Sequence, residues 1–182
     1  TFKYDDNHFL TEIIDSRGIK VARNEYDDTG RLIATVDSDG NRTEYTHNID
    51  GRQEIITDRL GNSTVYIYDD SGNVLSQTDA LGNTVSYTYD SNGNMKTKTD
   101  AVGSTTDYEY DGNSKLLSIT DALGHKVSNT YDQRGQLLTV EAMGIMSLTV
   151  DYDDYGNTTK TIDAMGNNIS YAYDNKGKLL GV

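Results

Sequence analysis

The chain has 182 residues, of which 35% are hydrophobic and 25% charged, and a net charge of −13. So acidic a balance opposes binding to nucleic acid or to an anionic membrane, which need basic patches, and no apolar run approaches the 18 or so residues of a membrane-spanning helix. Without Cys there is neither a disulfide framework nor a thiolate zinc site, whereas 14 Tyr at regular positions argue against a disordered acidic segment and the absence of Pro suits a sheet that uses nearly every N–H.

Taken from the N-terminus, an aromatic-type position recurs at Tyr4, Tyr26, His47, Tyr68, Tyr89, Tyr110, Tyr131, Tyr152 and Tyr173, spaced once by 22 and then by 21 residues. These are nine copies of one unit. Asp follows each of them except His47, where Asn48 stands, and Gly comes four residues on at Gly30, Gly51, Gly72, Gly93, Gly135, Gly156 and Gly177, with His8 and Ser114 as exceptions. Asp at the first place of a type I turn caps the N–H two residues on, and Gly at the fourth accepts the positive φ that closes a three-residue hairpin loop. In the copy with Ser114, Gly112 and Asn113 are expected to supply the flexible positions.

A second tetrad lies half a period later: Asp15–Gly18, Asp37–Gly40, Asp58–Gly61, Asp79–Gly82, Asp100–Gly103, Asp121–Gly124 and Asp163–Gly166. In the seventh copy Glu141–Gly144 comes one residue early and an extra residue before Tyr152 restores the phase, which predicts a local bulge. Between tetrads, segments such as 83–89 alternate Val85, Tyr87 and Tyr89 with small polar residues, the pattern of a half-covered strand. Segments such as 94–99 alternate with them. Runs such as Leu116-Leu117-Ser118-Ile119 place apolar groups on both sides and leave the inner face of that strand unassigned.

The expected fold class is all-β: tandem 21-residue two-stranded repeats forming a continuous, coiled antiparallel sheet, a partial shell or spiral strip. Eighteen strands about 4.8 Å apart would make a flat sheet near 85 Å wide, and twisted sheets rarely exceed about 10 strands without curling. Residues 1–182 are expected to be a single repeat array, a fragment of a much larger protein whose neighbouring repeats are its partners. Its uncovered edges predict self-association, most simply a two-fold dimer.

The motif Y-x-Y-D-x-x-G-N/R-L, as in YTYDSNGNM at 87–95, YDDTGRLIATVDSDG at 26–40 and YAYDNKGKLLG at 171–181, resembles the YD or Rhs repeat across essentially the whole chain. The resemblance implies a section of a large secreted or cell-surface protein, as among bacterial Rhs and wall-associated proteins, Tc toxin shell components and teneurins. In these families the repeats spiral into a hollow shell, which in the toxins encloses a C-terminal toxic domain. The Pro-containing motif near which such toxins are cleaved has no counterpart here, since the chain has no Pro.

No catalytic, cofactor-binding or metal residue is assigned. Asp-x-x-Gly without a phosphate-binding loop is turn chemistry rather than a nucleotide switch. Asp37-Ser38-Asp39-Gly40-Asn41 resembles the start of a calcium loop but has Asn48 where the bidentate Glu belongs, and His8, His47 and His125 lack metal-ligand spacing. Tyr rings beside Asp and Asn also suit a sugar-binding platform. The alternative to a non-enzymatic wall is therefore an adhesive carbohydrate-binding module that uses Tyr66, Tyr87, Tyr108 and Tyr171, with glycans as its partners.

Overall fold

The computed structural model describes residues 1–182 and contains strands and turns but no helix. Seventeen of the nineteen strands lie in antiparallel sheet and the last two form a separate ribbon. The chain divides into two compact units, Thr1–Tyr87 and Thr88–Val182.

The first unit contains β1 (Phe2–Tyr4), β2 (Leu10–Ile14), β3 (Lys20–Tyr26), β4 (Leu32–Asp37), β5 (Arg42–Asn48), β6 (Gln53–Thr57), β7 (Ser63–Tyr68), β8 (Val74–Thr78) and the start of β9 (Thr84–Tyr89). Each strand pairs with the next in the chain. The second unit continues with β10 (Met95–Thr99), β11 (Thr105–Tyr110), β12 (Leu116–Thr120), β13 (Lys126–Tyr131), β14 (Leu137–Ala142), β15 (Ile145–Tyr152), β16 (Thr158–Asp163) and β17 (Asn168–Ser170). These pair in the same consecutive way. The expected strand that leads to Tyr173 is split at Tyr171, and β18 (Ala172–Tyr173) pairs only with β19 (Leu179–Gly181).

The turns follow from the tetrads. At Asp90-Ser91-Asn92-Gly93-Asn94 the Gly93 N–H donates to the Asp90 carbonyl (3.1 Å) and the Asp90 N–H to that of Asn94 (2.9 Å). The Asp90 carboxylate accepts from the N–H groups of Asn92 and Asn94 and from the Asn94 side chain, at 2.8–2.9 Å. Gly93 stands at φ 82°, in the left-handed region that glycine enters without strain. The Asn that follows Gly therefore completes the turn, a contribution that turn chemistry alone does not reveal.

The exceptions rearrange differently from expectation. Ser114 (φ 63°) and His8 (φ 66°) themselves take the left-handed conformation, so the conformation that was expected of Gly112 and Asn113 falls on the non-glycine residue: the hydrogen-bond frame around Asp111 demands it at the fourth place whatever occupies it. In the third copy, Asn48 pairs with Gln53 across a four-residue loop, and the positive φ moves from Gly51 to Arg52 (48°). In the seventh copy Met143 (φ 53°) and Gly144 (φ 79°) form a two-residue turn, the geometry that matches strand twist. The predicted bulge lies beside it: Val140 pairs with Leu148 but Glu141 with Met146, so Ser147 is the extra residue.

A further bulge recurs in the hairpins that follow the aromatic. Tyr110 pairs with Leu116 but Glu109 pairs with Ser118, so Leu117 is the extra residue. Ile33, Leu75, Leu138 and Thr159 are skipped likewise. The bulge resolves the Leu116-Leu117 doublet. Leu116 and Ile119 share the face of Tyr108 and Tyr110 because each pairs with one of them, while Leu117 is the unpaired residue of the bulge.

Neither face of the sheet makes a deep core. Only Ala34, Val150 and Ser118 are buried and no large side chain is fully so. Apart from the exposed Tyr4 and Tyr155, the Tyr rings are half-covered rather than enclosed, as in the Phe9–Tyr26 stack at 5.1 Å. On the opposite face small residues lie beneath ion pairs. Arg42 bridges Glu25 (2.7 Å) and Glu44 (2.9 Å), both of which pair across strands with Ala34, while Ser118 donates to Glu109 (2.6 Å), which Lys126 also meets (3.0 Å).

Candidate functional site

The aromatic face carries the recurring chemistry. Beside several bulges one carbonyl is left over from the strand ladder, and the aromatic of the following copy reaches it from the adjacent strand. Tyr131 donates its hydroxyl to the Leu116 carbonyl at 2.8 Å, Tyr152 to Leu137 at 2.9 Å and Tyr26 to Leu10 at 2.9 Å. In the third copy the imidazole Nε2 of His47 meets the Leu32 carbonyl at 2.7 Å. In these copies the position uses a ring with a polar tip: the ring covers the sheet while the tip satisfies a carbonyl; Tyr110 stands at the same place without such a bond. Asn24 and Asn129 add a second donor to Leu10 and Leu116, at 3.0 and 3.1 Å. The count of 14 Tyr against 2 Phe is the trace of this role in the composition.

The third copy lacks the bulge, and its partners differ. His47 Nδ1 lies 3.3 Å from Glu54, which also accepts the Tyr68 hydroxyl at 3.0 Å. Burial first, and then the hydrogen bond to the Glu54 carboxylate, push the Tyr68 phenol up to about 12. This chain of three polar side chains joins adjacent strands, and the spacing of the three histidines did not reveal it.

The four candidate sugar-binding tyrosines are all half-buried and do not converge. Tyr66 stacks on Tyr68 with ring centroids 6.5 Å apart. Tyr108 borders a shallow groove of about 370 Å³ with Lys98, Asp100 and Asp121, whereas Tyr171 sits at the break between β17 and β18. Successive members of such a ladder stand two strands apart, about 10 Å. Unlike Tyr131 and Tyr152, Tyr108 keeps its hydroxyl free.

The repeated aspartates are occupied by their own turns. Asp37 accepts from the N–H groups of Asp39 and Asn41 and from the Asn41 amide, so its oxygens face inward. The Asn41 side chain, and after it the Asn41 N–H, hold the Asp37 carboxyl below the usual carboxylate range. His125 bonds Asp121 within one turn at 2.8 Å, and no three His, Asp or Glu side chains converge as a metal site.

No curated protein matches the sequence. Among solved structures, the chain is similar to a chain of the Photorhabdus luminescens Tc holotoxin pore, at 14% identity and a TM-score of 0.44, over 98% of this chain and 17% of that one. It is also similar to a chain of TcdB2-TccC3, at 15% identity and a TM-score of 0.37, over 98% of this chain and 15% of that one. A porin-like protein from Bacteroides uniformis matches at 14% identity and a TM-score of 0.41, over 92% of this chain and 84% of that one. The chain thus spans less than a fifth of the two toxin chains. The family model described as RHS Repeat matches residues 26–64, 68–105 and 89–126. Each match begins on the aromatic of a copy and together they cover more than half of the chain, which belongs to the RHS repeat family.

Proposed function

We propose that residues 1–182 are one repeat array within a much larger secreted or cell-surface RHS protein, and that they are a non-enzymatic section of a curved β-sheet wall of the kind that encapsulates a toxin. The observation that carries this reading is the internal use of the repeated polar groups. The recurring Asp side chains bind their own turns, and the hydroxyls of Tyr26, Tyr131 and Tyr152 bind backbone carbonyls. A residue repeated for such purposes is scaffold, and neighbouring repeats are its natural partners.

The free hydroxyl of Tyr108, beside Asp100 and Asp121 in a groove, favours one second reading: an adhesive surface that takes a sugar ring on the Tyr face. A glycan array followed by isothermal titration separates the two. The wall reading expects no saturable binding. Saturable binding that Tyr108→Ala abolishes, with the fold intact by circular dichroism, would establish the second.

A further inference from the structure

The two rims of the repeat, where the hairpins turn, differ in chemistry. In the second unit the hairpins β10–β11, β12–β13, β14–β15 and β16–β17 all turn on one rim and present Val102, Leu123, Met143 and Met165 at their tips, exposed by 86, 81, 63 and 86%. Ile145 and Met146 stand exposed beside Met143. On the opposite rim the corresponding third places of the turns hold Asn113, Arg134, Tyr155 and Lys176. At the tips of Val102, Leu123 and Met165 turn formation does not require the difference, because this place contributes only its N–H to the Asp carboxylate. Leu123 and Asn113 make that bond alike, at 2.9 and 2.8 Å. Some other demand keeps large apolar side chains in water.

We infer that the rim bearing Val102, Leu123, Met143 and Met165 is a docking surface for the same rim of a second copy of this repeat strip. The spacing selects the occupant. Tips on one rim stand two strands apart, about 10 Å, and another hairpin rim of the same period places an apolar tip against every gap. Six exposed side chains at about 100 Å² of apolar surface each offer about 600 Å², near the roughly 800 Å² per partner of a stable interface. A two-fold axis makes the contact self-complementary. The net charge of −13 opposes an anionic bilayer and a second copy alike, so the contact rests on the apolar tips and is expected to tighten as salt screens the charge. This deepens the wall reading, since it supplies the lateral contact by which one strip joins another.

The test is sedimentation equilibrium of the 182-residue chain, beside the double variant Leu123→Asp with Met165→Asp and the edge-strand variant Ile169→Lys. Folding of each is checked by circular dichroism and urea unfolding. The wild-type chain is expected to dimerise, the double variant to weaken the dimer at least tenfold, and Ile169→Lys to leave it unchanged. A wild-type monomer at all concentrations, a dimer indifferent to the double variant, a dimer lost in Ile169→Lys alone, or a monomer that instead binds phosphatidylcholine vesicles through these tips would each overturn the inference. A monomer that also binds no glycan removes the rim contact and leaves the wall reading intact, whereas glycan binding by a rim-dependent dimer does the reverse.

Discussion

Removing one oxygen atom tests whether the aromatic of the repeat is chosen for its hydroxyl. In Tyr152→Phe the ring remains and the Leu137 carbonyl loses the hydroxyl that donates to it at 2.9 Å. In Tyr131→Phe the Leu116 carbonyl keeps the Asn129 amide at 3.1 Å, whereas the place of Asn129 is taken in the next copy by Val150, which donates nothing. A hydrogen bond contributes about 0.5–1.5 kcal/mol net and a stranded acceptor costs about 1–3 kcal/mol. Tyr152→Phe is therefore expected to cost about 1.5 kcal/mol and Tyr131→Phe about 0.5–1 kcal/mol, while Tyr108→Phe, which loses no bond, stays within about 0.5 kcal/mol of wild type. At this chain length 1.5 kcal/mol lowers Tm by about 3–6 °C if unfolding is cooperative. Urea unfolding at 25 °C, with m-values compared to confirm an unchanged transition, reads the ranking. Equal midpoints for Tyr152→Phe and Tyr108→Phe would refute the carbonyl role and return the tyrosines to simple ring packing.

The turn assignments give a pair of opposite signs in the same assay: Gly93→Val, at φ 82° with open space around it, should cost about 1–3 kcal/mol from backbone strain alone. His8→Gly, which relieves a non-glycine residue at φ 66°, should instead stabilise by about 1 kcal/mol; Ser114→Gly should gain less because it also loses the Asn94 amide bond to the Ser114 hydroxyl. Met143→Asn should stabilise the two-residue turn by up to about 1 kcal/mol, since Asn-Gly is the preferred pair there, read as a raised Tm. Acid should destabilise the chain. The Asp79 and Asp163 carboxyls are held below 3.8 in the fold, first by the side chains of Asn83 and Asn167, so their contribution is complete above that value and is lost as pH falls through the lower folded one. Glu12 is lowered from 4.5 to about 2 by Lys20 and Lys3, so its contribution is complete above 4.5 and is lost as pH falls toward 2, and Glu12→Gln should flatten unfolding midpoints measured between pH 4.5 and 2.

The strands and most turns were legible because their signals are local. Val85, Tyr87 and Tyr89 alternate, and Asp90 and Gly93 occupy the places that a type I turn with a following left-handed residue requires. The Ser114 turn misled because the hydrogen bonds around Asp111, rather than the intrinsic preference of Gly112, decide which residue takes positive φ. The bulge announced itself only as the Leu116-Leu117 doublet, a pattern that period-two reading treats as ambiguous. The Tyr131–Leu116 bond was further from reach, since it joins residues 15 apart and depends on that bulge. The preference for Tyr over Phe was its sole trace.

Within each unit sheet neighbours are chain neighbours, with the ladder broken only between β17 and β18, and this has a kinetic consequence. No contact waits for a distant part of the chain, so the separation in sequence over which the polypeptide must search stays at about one hairpin however many copies are joined. A nascent chain leaving the ribosome can complete each hairpin on the template of the previous one, about ten residues at a time. Copies can likewise be gained or lost during descent without redrawing any contact except at the junction, so the length of such a strip is free to change one repeat at a time.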